Sequence, residues 1–167
     1  MAGFLTRLLH GDREREYAAL YERVVTLARA PDWYRAGGVP DTLDGRFDMV
    51  VLVLSLVLFR LEREGEQGKL AAARLTERFV EDMDGQVREI GFGDLVVGKQ
   101  IGRLMGALGG RLGAYRGGLT ADALVRNLWR GQAPGPDAVD WVLGEGERLR
   151  ARINAAPLDA VLAGAIA

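Results

Sequence analysis

The chain has no cysteine and a single histidine, His10, in 167 residues. Disulfides, thiol nucleophiles and cysteine metal sites are therefore excluded. The side chain most often used in acid–base catalysis is confined to one position near the N-terminus. Catalysis is accordingly not expected, and neither is a resident metal or cofactor. Lysine is nearly absent as well: Lys69 and Lys99 are the only two, and arginine supplies the other positive charges. A formal net charge of −1 gives no sign of a nucleic-acid binder or of a polybasic membrane binder. Long apolar runs are missing too. A membrane span needs roughly 20 apolar residues, whereas Met49–Phe59 has eleven, Ser55 among them. Met1–Gly11 lacks the long apolar core and cleavage site of a secretory signal, so a cytoplasmic location is expected.

That short run nonetheless organises the chain. A charged lead-in, Asp44-Gly45-Arg46-Phe47-Asp48, precedes it and Arg60-Leu61-Glu62-Arg63-Glu64 closes it. A helix apolar on every side is buried on every side, so 45–64 is expected to be the central helix of an all-α fold. The valines at 50, 51, 53 and 57 would also suit a buried strand, but no hairpin turn or partner strand accompanies them.

Around this centre the spacing predicts six to seven helices. Tyr17, Leu20, Tyr21, Val24 and Ala28 mark one over 13–30, which Pro31 ends. Leu75, Phe79, Met83 and Val87 mark another over 67–91. Ile101, Leu104, Leu108, Leu112 and Tyr115 mark a third over 94–116, with Asp94 placed to cap it. Shorter, more loosely packed helices are expected over 120–166, after the breaks at Gly117-Gly118 and Pro134-Gly135-Pro136. The domain reading is a short amphipathic segment over 1–12 and one helical domain over 13–167. In the former, Phe4, Leu5, Leu8 and Leu9 share a helical face suited to membrane contact.

Glycine, at 23 residues, is about twice the average ~7% usage. Gly98, Gly102, Gly106 and Gly110 fall four apart inside the 94–116 helix. Each costs about 1 kcal/mol against alanine, so the row is expected to admit another backbone at close range. The expected neighbour is the 45–64 helix; a groove open to a client helix is the alternative.

Two motifs fall short of chemistry. Gly93–Lys99 fits the G-x-x-x-x-G-K of a phosphate loop, but no strand precedes it and Gln100 replaces the hydroxyl residue. The acidic groups Asp41, Asp44, Asp48 and Glu81, Asp82, Asp84 match no calcium-loop spacing.

Several short motifs in order carry a resemblance: Leu43-Asp44-Gly45-Arg46-Phe47-Asp48 leading into the apolar helix, Phe79–Asp84, Arg88–Asp94, Val97-Gly98-Lys99, Gly110-Arg111 and Ala114-Tyr115. Over about 17–115 the chain resembles the ubiquinol–cytochrome c chaperone family. The resemblance implies a helical, non-enzymatic assembly factor that binds newly made cytochrome b, with a small helical assembly partner in mitochondria, at the inner membrane. Arg46, Asp82, Arg88, Asp94, Lys99 and Arg103 are then the candidate partner-binding residues. Capping and local ion pairing are the competing roles for the charged residues of these motifs. The rival reading from another class is a small helical lipid- or quinone-binding protein whose groove is the glycine-lined seam.

Overall fold

The computed structural model describes residues 17–89 and 94–166, less the side chains of Asp94 and Leu95. Phe4, Leu5, Leu8 and Leu9 lie outside the described residues. Helices and their connections account for all the described structure: α1 (Ala18–Ala28), α2 (Pro31–Arg35), α3 (Leu43–Leu61), α4 (Gly65–Glu89), α5 (Asp94–Tyr115), α6 (Ala121–Leu128), α7 (Pro136–Ala155) and α8 (Leu158–Leu162). Six of these have eight residues or more, and α2 and α8 are five-residue segments.

α3 is the axis. Thr42 caps its start, its hydroxyl accepting from Gly45 N at 3.1 Å, so the helix begins two residues before the expected boundary. Every residue from Met49 to Leu58 is buried. No strand competes, because α1, α4, α5, α6 and α7 each pack a side of α3 and satisfy its apolar circumference. The one hydroxyl inside, Ser55, donates to the Val51 carbonyl at 2.6 Å and so needs no outside partner.

The other helices bury the stripes that spacing predicts. Leu20, Tyr21 and Val24 of α1 and Leu75, Phe79 and Met83 of α4 enter one connected core. The aromatic pair after Pro31 forms α2 and caps this core. Trp33 is buried, donates to the Leu27 carbonyl at 2.9 Å and meets Trp141 edge-on at 5.7 Å between centroids. α7 departs from the expectation of shorter, loosely packed helices: it runs 20 residues and buries Val139, Val142, Leu149 and Ile153, and the side chain of Leu119 fills the space beside Gly146.

The glycine row requires a correction. Gly98, Gly102, Gly106 and Gly110 are exposed, and a Cβ built on any of them meets nothing within 4 Å. α3 packs instead on the Leu104, Leu108, Leu112 and Tyr115 side of α5. The row therefore admits no neighbouring backbone among the described residues, and the seam expected of a ligand groove is absent there. Gly106→Ala is predicted to raise stability by about 0.5–1 kcal/mol, since alanine restricts the unfolded chain and fits the helix. A urea titration checks this; a loss of stability would mean that the face is covered.

Candidate functional site

The six residues Leu43–Asp48 open α3, and the structure gives each a separate task. Gly45 is buried because the Pro40 carbonyl oxygen lies 1.9 Å from where its Cβ would stand; the turn before α3 closes over the helix there. Phe47 meets Phe79 of α4 at 6.0 Å between centroids, with the Arg111 guanidinium 5.7 Å from its ring centre. Asp48, fully buried, accepts from Arg111 Nη2 of α5 at 2.6 Å. Asp44 pairs with Arg130 at 3.1 Å, and Arg130 also stands 3.7 Å from the second Asp48 oxygen. Arg46 pairs with Asp41 across the turn at 2.6 Å. Leu43 is left pointing outward, 70% exposed.

The two separated motif halves thus meet at one buried ion pair. Glycine at 110 and alanine at 114 bracket a helix turn on which Arg111 and Tyr115 point inward, toward the start of α3. Desolvation dominates the Asp48 carboxyl and pushes it up to about 6, against the pull of Arg111 and Arg130. Burial also raises the Tyr115 hydroxyl. Three buried polar atoms in this cluster lack a hydrogen-bond partner: Asp48 Oδ2, Arg111 Nε and Tyr115 Oη. Asn127 is close to Tyr115, but its amide donates to the Ala123 carbonyl at 2.9 Å. Asp48 and Tyr115 are buried within the cluster, which joins α3, α5 and the residues just after α6.

Beside it lies an open cleft of about 240 Å³ lined by Leu43, Phe47, Met83, Val87 and Leu104, with Asp44, Gln86 and Gln100 at its edges. Three elements build it: the first turn of α3, the last turns of α4 and the middle of α5. With its apolar floor and exposed Leu43 the cleft is smaller than the roughly 300–1,000 Å³ of small-molecule pockets. Leu43 was not among the sequence candidates. The signal lay in the pattern: a leucine immediately after the Thr42 cap, ahead of the apolar run, has no core position to occupy.

The sequence candidates do not form one patch. Arg46 lies in a cleft with Arg29, Arg35 and Tyr34. Asp82 lies in the adjoining polar groove, which shares Arg29, and accepts from the Tyr21 hydroxyl at 2.7 Å. Burial and this carboxylate together raise the Tyr21 hydroxyl. Arg88 pairs with Asp84 on its own helix at 2.6 Å. Asp94 begins α5, its side chain outside the described residues. Lys99 and Arg103 are exposed on α5, and Arg103 reaches Gln100 at the edge of the cleft at 3.3 Å. The second glycine of the phosphate-loop-like motif, Gly98, sits inside α5, so among the described residues 94–99 are helix and form no phosphate-cradling loop. Asp44 and Asp48 are engaged by arginines.

Comparison with known proteins follows the same lines. Residues 35–167 match the sequence family described as Ubiquinol-cytochrome C chaperone. The crystal structure of the Cbp3 homolog from Brucella abortus is similar over 100% of this chain and 96% of that one, at 30% identity and a TM-score of 0.82. No curated protein matches the chain. The family match extends through α6, α7 and α8, which carry no motif legible by eye.

Proposed function

Because this chain belongs to the ubiquinol–cytochrome c chaperone family, we propose that it binds newly made cytochrome b. By holding that client it assists assembly of ubiquinol–cytochrome c reductase, without catalysing a reaction of its own. The observation that carries this reading is the apolar cleft beneath Leu43. It is built on the same α3 and α5 motifs by which the family resemblance was legible, and it is held rigid by the Asp48–Arg111 pair behind it. An exposed apolar anchor rimmed by polar residues marks a protein-binding surface. A hydrophobic client segment placing side chains against Leu43, Phe47, Met83 and Val87 would be shielded from water until its own partners arrive.

Among the described residues no helix is long and apolar enough to cross a membrane. In this reading the chain works at the cytoplasmic face of the inner membrane, where its client is inserted, with Phe4, Leu5, Leu8 and Leu9 as proposed membrane contacts. Lys99 and Arg103, beside the cleft, are proposed to contact the same client. Arg46, Asp82, Arg88 and Asp94 remain proposed contacts for a second protein, such as a small helical assembly partner.

Capture of the tagged chain from its own cells in mild detergent tests this reading. Cytochrome b enriched over other abundant membrane proteins is the expected result. Stoichiometric lipid or quinone without cytochrome b would favour the small-ligand alternative instead. Leu43→Glu is predicted to reduce cytochrome b capture about tenfold, equivalent to ~1.4 kcal/mol. It should leave stability within about 0.5 kcal/mol, because Leu43 is exposed. Unchanged capture by a folded Leu43→Glu variant would remove the cleft from the account.

A further inference from the structure

Arginines on the helices of this chain are mostly matched nearby: Arg74 with Glu77, Arg78 with Glu81, Arg148 with Glu145 and Arg150 with Glu147. The cleft around Arg46 departs from that pattern. Arg29 at the end of α1, Arg35 at the end of α2 and Arg46 in the first turn of α3 line one space of about 390 Å³, with Tyr34 and Pro31 as its walls. The single carboxylate in the lining, Asp41, is taken by Arg46. Arg29 and Arg35 make no side-chain hydrogen bond or ion pair among the described residues, and the lining sets three arginines against one carboxylate. Arg29 also lines the adjoining groove, which holds Glu22, Glu81 and Asp82 with Arg78, and there Arg78 is paired with Glu81 at 3.1 Å. The excess positive charge thus lies on Arg35 and on Arg29, which stands between the two clefts.

We propose that this cleft binds a phosphate-bearing anion, held by Arg29 and Arg35 with Arg46 shared between the anion and Asp41. Guanidinium forks match phosphate oxygens two at a time, and three forks from three helices offer more donors than one carboxylate can accept. The anion relieves the mutual repulsion of the three cations and fixes the α1–α2–α3 corner. The Tyr34 hydroxyl, which donates to the Ala28 carbonyl at 3.0 Å, keeps the aromatic wall in place. The site shares Arg46 with the contacts proposed for a second protein and stands apart from the Leu43 cleft that the cytochrome b reading uses. A phospholipid headgroup and a free phosphate share this chemistry.

The test uses the full chain and two probes: inorganic phosphate by titration calorimetry, and phosphatidylcholine vesicles with and without phosphatidylglycerol by co-flotation. Binding to both phosphate and the anionic vesicles, with phosphate competing, assigns the site to headgroups; binding to phosphate alone assigns it to soluble phosphate. In either case Arg29→Gln/Arg35→Gln is expected to lower affinity at least tenfold without changing the melting temperature. Arg63→Gln/Arg126→Gln, which removes the same charge elsewhere, is expected to bind as the unaltered chain does. The proposal is overturned if neither probe binds, if Arg29→Gln/Arg35→Gln binds normally, or if the control variant loses as much. Loss of phosphate binding with cytochrome b capture intact would confirm that the two sites are separate.

Discussion

Replacing Arg111 by alanine is expected to cost about 3–5 kcal/mol of folding stability at pH 8. The reason is what it leaves behind: Asp48, whose side chain is 1% exposed, keeps a charge with its direct donor gone. Removing one partner of a buried pair costs this much because the remaining ion is neither solvated nor paired. Arg130 cannot replace the lost bond from its present position, since it is 3.7 Å away and 60% exposed. Because burial raises the Asp48 carboxyl to about 6 from 3.8, the folded chain holds this proton more tightly than the unfolded one. The group therefore contributes stability that is fully present below pH ~3.8 and lost as pH rises through about 6. The full shift is worth roughly 3 kcal/mol. Asp48→Asn removes the titration, so the stability of the unaltered chain relative to Asp48→Asn should fall by up to that amount between pH 4 and pH 7. The cost of Arg111→Ala should shrink over the same range as pH is lowered. Urea titrations of the three proteins at several pH values read all of this. A cost below about 1 kcal/mol at pH 8 would mean that α3 and α5 are not joined through this pair.

Gly45→Ala is the second large effect, a predicted net loss of about 1–3 kcal/mol. Alanine should gain about 1 kcal/mol of helix propensity, as it does at Gly106. Here the gain is outweighed, because the added methyl would stand 1.9 Å from the Pro40 carbonyl oxygen and 3.0 Å from its carbon. Backbone must move to admit it, an overpacking cost of about 1–3 kcal/mol. The movement also displaces Thr42, whose cap is worth about 1 kcal/mol. Opposite signs for the same substitution at Gly45 and Gly106 would separate a glycine required by close approach from one that faces open space. Thermal melts of the two variants decide it, and a stabilised Gly45→Ala would show that the turn before α3 can yield.

The contrast between these glycines also shows what the sequence could and could not reveal. Helices were legible because apolar spacing is local: Leu75, Phe79, Met83 and Val87 lie on one face whatever they pack against. The central place of 45–64 followed from its apolar circumference alone. The direction of a glycine face was not legible. Spacing shows that Gly98, Gly102, Gly106 and Gly110 share a side of α5, but not whether a neighbour covers it. That depended on the larger side chains, Leu104, Leu108 and Leu112, which claim the contact with α3 and turn the glycines outward. The Asp48–Arg111 pair was hidden for a related reason. Both residues belong to the motifs that carry the family resemblance, yet 63 positions separate them and only the fold brings them together. Leu43 was not legible because spacing does not tell an exposed leucine after a cap from a core one, while the candidate beside it, Arg46, is paired with Asp41.

The central claim, that this chain receives cytochrome b before the reductase is assembled, is tested most directly in growing cells. A short pulse of labelled amino acids would be followed by crosslinking and capture of the tagged chain through a chase. The account predicts labelled cytochrome b on the chain at the earliest times, declining as label enters the assembled reductase, and largely absent with Leu43→Glu. Capture of no labelled cytochrome b at any time, from cells that do make the reductase, would contradict it.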